Sequence, residues 1–338
     1  MAYPVELATG LLRQPHKLGQ LLVLRDLVPW IRVEFLGAAA RLGLLSAVDR
    51  PHTEAELADR LEVTEPGLLR SLLELGAALG ELRHDGERWS LRGARAKALA
   101  DPAVPGMAAL TTEFVVYDAD VYAALERRLR GEPPGDYLSE HGELVAEGSR
   151  VDEPLLAPFL SQLVRQLEPR RILDVGCGSG VYLRAAAGAA PGLTGDGIDL
   201  DVDAVALARR NLDTWGLSER FAIHQADVRD LPPSLRDPYD LVLLFQSIYY
   251  FPVDERTALL TQLRSLVPDG VVAVVSMVTD GHDPLGAHYD LLFRSTAGNY
   301  PVPAAAEVRA ALTEAGFRRV DERRLAPRQP LRAFVAHR

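Results

Sequence analysis

Three aspartates carry the first chemical signal in this chain. Asp174, Asp199 and Asp227 each stand at or just past the end of a short apolar run, and the first is followed by Gly176, Gly178 and Gly180. The stretch RILDVGCGSGV, residues 171–181, reads as a buried strand, a glycine turn and the start of an alanine-rich helix. Glycines at such a turn admit positive φ and let a ligand lie against bare backbone, while the amides of the following helix offer donors. Asp199 follows the turn at about the twenty residues that place a carboxylate on ribose hydroxyls in dinucleotide folds, so a nucleoside is the expected ligand. The glycines run GxGxG, however, not the GxGxxG of a dinucleotide turn. One aspartate alone would be read as a turn or helix cap. Three at strand ends favour a ligand site.

Positioning these residues requires a sheet. Apolar runs at 171–175, 193–198, 221–225, 239–245 and 271–277 alternate with helical segments at 181 onward, 202–215 and 254–266. Beyond them come a helical insert at 284–296, a helix at 303–315, and terminal strands at 318–324 and 332–337. Alternation of near-continuous apolar strands with helices predicts an α/β, Rossmann-like, mostly parallel seven-stranded sheet with helices on both faces. Its ligand is expected at the carboxyl ends of the strands.

The N-terminal third has another pattern. Apolar residues spaced by three or four from Leu18 to Val48 predict one long apolar helix, with Gly43 and Pro51 punctuating its end, and Thr53 and Thr64-Glu65-Pro66-Gly67 open two shorter ones. Residues 81–91 alternate around Asp85-Gly86, a hairpin signal. Three helices and a hairpin make a mainly α, winged-helix-like domain. The segment PGLLRSLLELGAALG carries one basic residue, Arg70, whereas a groove-entering helix needs several polar and basic side chains. Its apolar helical surface fits a subunit interface instead. The expected division is a winged-helix-like dimerisation domain at 1–100, a helical connector at 101–155 that contributes to a substrate pocket, and the Rossmann-like domain at 156–338.

Composition narrows the class. Of 338 residues, 48% are hydrophobic and 25% charged, as in ordinary globular chains. A formal net charge of −10 argues against a nucleic-acid or anionic-membrane footprint. The single cysteine, Cys177, requires no oxidising compartment; with no apolar run long enough to span a bilayer and no signal-peptide pattern in MAYPVELATGLLRQPHK, a cytoplasmic location is expected. His282 and His288 lie six apart, which is not the i, i+4 spacing of helical metal ligands, and no metal is expected.

The motif LDVGCGSG at 173–180 resembles the first motif of class I S-adenosylmethionine-dependent methyltransferases. The resemblance continues through GIDLD at 197–201, QADVRDLP at 225–232, YDLVLLFQSIYYF at 239–251 and LVPDGVVAVVS at 266–276. With its leading winged helix the chain looks like the bacterial small-molecule O-methyltransferases, in which the N-terminal domain dimerises and closes the pocket. The resemblance implies S-adenosylmethionine as cofactor, bound by Asp174, Gly176, Cys177, Gly178, Asp199, Leu200, Asp227, Val228, Phe245 and Gln246. Asp199 would take the ribose diol, Asp227 the adenine amine, and Phe245 and Gln246 the sulfonium side. It implies a small aromatic or apolar acceptor in a homodimer, with oxygen favoured over nitrogen or carbon as methyl acceptor.

One departure from the family stands out. Related enzymes that methylate phenols often carry a histidine base just after the fourth strand, where this chain has Tyr250 in SIYYFP. An unperturbed tyrosine is a poor base at neutral pH. His288, at the start of the 284–296 helix, is the leading candidate base, with Tyr250 the alternative, and Tyr117, Tyr249, Tyr250, His288 and Phe293 form the expected acceptor wall. A sulfonium-binding enzyme that transfers no methyl, and a nucleoside-sensing DNA-binding regulator, are the competing readings.

Overall fold

The computed structural model describes residues 15–280, 283–327 and 330–338, so His282 lies outside the described residues. The chain divides into two compact units, Met1–Asp120 with Glu143–Val151, and Val121–Gly142 with Asp152–Arg338.

In the first unit, α1 (Lys17–Arg41) buries only Phe35, Leu36, Gly37 and Ala39. Upstream of these it leaves Leu18, Leu21, Leu24, Leu27, Val28 and Trp30 exposed within its unit. The single helix expected through Val48 is broken: Gly43, at φ 75°, ends α1 and a short α2 (Leu44–Ala47) resumes. A residue without Cβ adopts that left-handed backbone at little cost, which is why the break falls there. Thr53 and Glu56 form a reciprocal capping box at the start of α3 (Glu54–Arg60), and Pro66 opens α4 (Pro66–Ala78). The hairpin β1 (Leu82–His84) and β2 (Trp89–Leu91) follows the turn signal at Asp85-Gly86. Phe35, Leu45, Leu57, Leu73, Leu82 and Trp89 share one apolar core, and Gly76 lets α4 pass where a Cβ would meet the Phe35 ring at 2.5 Å. After α5 (Ala94–Ala100), α6 (Pro105–Glu113) runs through a π-helical turn at Phe114–Asp118 into α7 (Ala119–Leu129), which carries the chain into the second unit. α8 (Tyr137–Gly148) is kinked at His141, where φ is −132°.

The second unit begins its regular fold with α9 (Glu153–Leu167) and then winds β3 (Arg171–Val175), α10 (Val181–Ala189), β4 (Thr194–Asp199), α11 (Val202–Thr214), β5 (Phe221–Gln225) and β6 (Leu241–Phe245). It closes with α12 (Arg256–Ser265), β7 (Val271–Met277), α13 (Pro284–Arg294), α14 (Ala305–Glu314), β8 (Arg319–Arg324) and β9 (Leu331–His337). The strands form one seven-stranded sheet in the order β5-β4-β3-β6-β7-β9-β8. The first five are parallel, and β9 enters antiparallel between β7 and β8. This is the expected fold class.

Strand periodicity sorts the core into two faces. Leu173, Val175, Val242, Leu244, Val272 and Val274 pack against α12 and α14. Ile172, Leu241, Leu243, Phe245, Ala273 and Val275 pack against α9, α10 and α11. Asp174 has the parity of Ile172 and belongs to the second face. Toward the amino ends of the strands, Asp196 joins three elements: Arg171 Nη2 and Tyr239 Oη both donate to its Oδ2 at 3.0 Å, and His224 Nε2 lies 3.0 Å from its Oδ1. Asp240 Oδ2 accepts from the amides of Arg170 and Arg171 at 2.7 and 2.9 Å.

Candidate active site

Strand order reverses between β3 and β6, so the crevice at their carboxyl ends is the place where such a sheet takes a ligand. The turn after β3 occupies it. Gly176, Gly178 and Gly180 have φ of 71°, 52° and 78°, a run of left-handed backbone that L side chains adopt only at a cost of about 1–2 kcal/mol each. A Cβ on Gly176 would stand 2.6 Å from Ser247 Oγ, whereas one on Gly178 would meet nothing within 4 Å. One glycine is needed for packing, then, and the other leaves backbone open.

Asp199 closes β4 and holds this turn: its Oδ2 accepts the Gly178 amide and its Oδ1 the Asp201 amide, both at 3.0 Å. Each oxygen retains a lone pair for a further donor. Asp174 is wholly buried, and neither of its carboxylate oxygens has a hydrogen-bond partner. Burial, with a smaller contribution from the charge of Asp199, pushes its pKa up to about 7. Buried polar groups are almost always paired, so an orphaned carboxylate at a strand end marks a missing partner. Cys177 is buried, and burial together with Asp174 and Asp199 holds its thiol protonated. Leu200 is exposed, and its carbonyl accepts from Gln225 Nε2 at 3.2 Å.

Asp227 follows β5 and is already engaged. Arg229 grips its carboxylate through Nε and Nη2, the latter at 2.7 Å, and this bonding holds the Asp227 carboxyl below its usual range. Arg229 also reaches Glu255 at 3.3 Å. Val228 is buried, and its carbonyl accepts from Gln262 Nε2.

At the end of β6, Phe245 is buried with the Tyr182 ring edge-on at 5.1 Å. Gln246 has φ 52°, in the left-handed region that a residue with a Cβ rarely visits. Three hydrogen bonds over-determine it: its amide donates to Val275 O at 2.7 Å, its Nε2 to Asp152 Oδ2 at 2.8 Å, and its Oε1 accepts the Met277 amide at 3.1 Å. Beyond it, Tyr249 is buried against Phe293, with ring centres 4.4 Å apart, and edge-on to Tyr250 at 5.1 Å. Burial drives the Tyr249 phenol well above its usual pKa, so it keeps its proton at neutral pH. Tyr250 is 42% exposed within its unit. His288, on α13, stacks nearly parallel to Tyr122, and its Nδ1 lies 2.9 Å from the Tyr122 hydroxyl. Tyr117 belongs to the other unit, where it is buried in the π-helical turn. No cluster of three metal-ligating side chains occurs among the described residues.

Two participants escaped the sequence reading. Asp152 precedes α9 and looks like a helix cap, and Tyr182 looks like a residue of an apolar helix. Only the fold brings them beside Gln246 and Phe245. The aromatic dipeptide after β6 was the readable part of the same cluster.

The residues present fit a methyl-donor cofactor. Among the described residues Asp152, Asp174 and Asp199 form no ion pair with an arginine, lysine or histidine, so the crevice has unmatched negative charge. A pyrophosphate would be repelled there, whereas a ligand with cationic groups and a ribose diol is complementary.

The comparisons with known proteins agree. The methyltransferase-domain family matches residues 149–322, just over half of the chain. Demethylspheroidene O-methyltransferase of Cereibacter sphaeroides is 30% identical over 313 residues, covering 85% of this chain and 79% of that protein. A ribosomal protein uL3 glutamine methyltransferase of Burkholderia pseudomallei is 32% identical over 139 residues, and there the chain spans only 45% of the relative's length. In structure, an O-methyltransferase family protein from Burkholderia thailandensis superposes with TM-score 0.77 at 21% identity, covering 96% of this chain and 99% of that one, a likeness of fold. On its glycine turn, its strand-end carboxylates and these matches, the chain belongs to the class I S-adenosylmethionine-dependent methyltransferases.

Proposed function

We propose that this protein transfers a methyl group from S-adenosylmethionine to an oxygen of a small, largely apolar or aromatic acceptor. The observation that carries the reading is the orphaned carboxylate of Asp174 beside a glycine turn held by Asp199. An anion buried without a partner is complementary to the cofactor's ammonium, and the open backbone at Gly176–Gly178 to its methionine chain. Asp199 would accept from the ribose diol. Asp227, with the Val228 amide, would receive the adenine edge while Arg229 fixes the carboxylate's orientation. Leu200, exposed after β4, would cover the nucleoside, and Phe245 and Gln246 would close the sulfonium side.

The bound cofactor supplies a methyl on a cationic sulfur, which is displaced in line by the acceptor oxygen. What the chain contributes is orientation and exclusion of water, which together account for much of the acceleration in such displacements. Tyr249, Phe293 and Tyr250 make an aromatic wall beyond the end of β6. His288, whose Nδ1 lies 2.9 Å from the Tyr122 hydroxyl, would take a proton from an acceptor hydroxyl, with Tyr250 the alternative. The homologous O-methyltransferase that acts on demethylspheroidene is a further support for an apolar acceptor.

The exposed apolar face of α1, from Leu18 to Trp30, is the surface we assign to a homodimer. An apolar patch of this extent on a water-soluble unit marks an association surface. The chain contains no helix, among the described residues, long and apolar enough to cross a membrane.

The test is calorimetric titration of the purified chain with S-adenosylhomocysteine, followed by incubation with methyl-labelled S-adenosylmethionine and a panel of phenols and apolar alcohols. Binding of the thioether and labelled product are expected. Absence of binding ends the proposal, and binding with acceptor turnover but no label would assign non-methylating chemistry.

A further inference from the structure

Besides Asp199, which backbone amides hold, the crevice has two acidic side chains that no basic side chain answers, and they are tied to different parts of it. Asp174 stands at the foot of the glycine turn. Asp152 is tied to the far side, through Gln246, to the end of β6. Asp152 occupies the capping position of α9, yet its carboxylate makes no capping bond to that helix. Its Oδ2 accepts from Gln246 instead, and Gln246 is locked in left-handed backbone by two further bonds. An aspartate at a helix start ordinarily accepts from the free amides of the first turn. Here the carboxylate is directed elsewhere.

The surroundings show where it is directed. Burial above all, and then the charges of Asp152 and Asp174, oppose ionisation of the Tyr182 hydroxyl. The Tyr249 hydroxyl feels Asp152, Tyr182, Tyr250 and Tyr289 in the same way. Gln246, which Asp152 holds at 2.8 Å, follows Phe245, whose ring meets that of Tyr182 at 5.1 Å just past the glycine turn, and precedes the aromatic pair Tyr249 and Tyr250, so Asp152 lies at the end of β6 where the glycine-turn side and the aromatic wall meet. In a methyl transferase, the atom that must lie at that junction is the sulfur bearing the methyl group. The fully buried and unpartnered Asp174 independently marks the crevice as built for a cation.

We propose that Asp152, braced by Gln246, recognises the positive sulfur of the methyl donor and so makes the site prefer the donor over its demethylated product. This inference rests on the methyl-donor reading of the crevice and adds a residue and a selectivity to it. The pairing of roles follows from charge. The donor carries two cationic centres, ammonium and sulfonium, and besides Asp199, whose oxygens hold the Gly178 and Asp201 amides, the crevice offers two carboxylates, Asp174 and Asp152. After transfer the sulfur is a neutral thioether, the second pairing disappears, and the product is held only by what it shares with the donor. A carboxylate that stabilises the charged ground state lowers donor KM and leaves product affinity nearly unchanged, so donor displaces product more readily, without raising the rate of the methyl-transfer step itself.

The experiment is calorimetric titration of the full-length chain and of Asp152→Asn with three ligands: S-adenosylmethionine, S-adenosylhomocysteine, and sinefungin, which carries an amine where the donor has sulfonium. Asparagine can still accept from Gln246, so the clamp survives while the charge is lost. Expected is a loss of about 10-fold or more in affinity for S-adenosylmethionine and sinefungin, with S-adenosylhomocysteine changed by less than about 3-fold, the contrast characteristic of losing one charge pair. Equal losses for all three ligands would place Asp152 against a group they share and overturn the proposal, as would no loss for any. If Asp152→Asn does not fold, judged by circular dichroism, Asp152→Ser is read by the same ratios. Failure of the unsubstituted protein to bind any of the three would instead overturn the methyl-donor reading itself.

Discussion

Cofactor binding should release a proton from Asp174. The carboxyl is buried without a hydrogen bond, and its pKa is raised from 3.8 to about 7. Raising it that far costs the ionised form about 4 kcal/mol in the cofactor-free protein. A cofactor ammonium placed against it favours the charged form and pulls the pKa back toward its ordinary value. The sign follows: below pH 7 the free protein holds the proton and the complex does not. At pH 6 binding should release about 0.9 proton, at pH 7 about 0.5 and at pH 8 about 0.1. Apparent affinity should climb by up to about 10-fold per pH unit below pH 7 and level off above it. Titration calorimetry of S-adenosylhomocysteine in buffers of different ionisation enthalpy reads the proton directly. Asp174→Asn should abolish the release and flatten the pH dependence. Zero release at pH 6 by the unsubstituted protein, or the same release from Asp174→Asn, would refute the reasoning.

Three further outcomes are expected. Gly176→Ala forces a Cβ to 2.6 Å from Ser247 Oγ at positive φ, whereas Gly178→Ala adds strain without a clash; denaturant melts should show the first losing about 2 kcal/mol or more of stability and the second about 1. Glu113 in the N-terminal unit is raised from 4.5 to about 8, chiefly by burial and then by Asp118. Because the folded form keeps its proton, stability falls as pH rises from about 4.5 to about 8, by an amount on the order of 5 kcal/mol, and Glu113→Gln should melt higher than the unsubstituted protein at about pH 9 by calorimetry; an unchanged Tm would count against this burial. Leu21→Glu with Leu24→Glu on the exposed face of α1 should convert a dimer to monomer by light scattering, and a monomer before substitution would remove the interface assignment.

Much of the catalytic unit was legible because its signals are local. Strand periodicity, glycine spacing and aspartates at strand ends all lie within a few residues of each other, and β3, β5 and β7 fall where the apolar pattern places them. Gly43 was legible as a stop signal, but the short helix that resumes at Leu44 was not separable from the helical pattern running to Val48. Asp227 and Arg229 show a different limit: the aspartate was visible as a ligand candidate, but its capture by a neighbouring guanidinium depends on side-chain geometry. Asp152 was invisible as anything other than a cap. It meets Gln246 across 94 positions of sequence, and no periodicity carries that information.

The Asp196 cluster with Arg171, Tyr239 and His224 has a consequence for how this fold changes over evolutionary time. It knits three neighbouring strands at one rim of the sheet, while the glycine turn, Asp199 and the Gln246 clamp sit at the other. Cohesion and chemistry are thereby given separate ends of the same strands. A substitution that reshapes the acceptor wall around Tyr249 or Phe293 leaves the knitted rim untouched, so new acceptors are accessible to the lineage without a parallel search for a new way to stay folded.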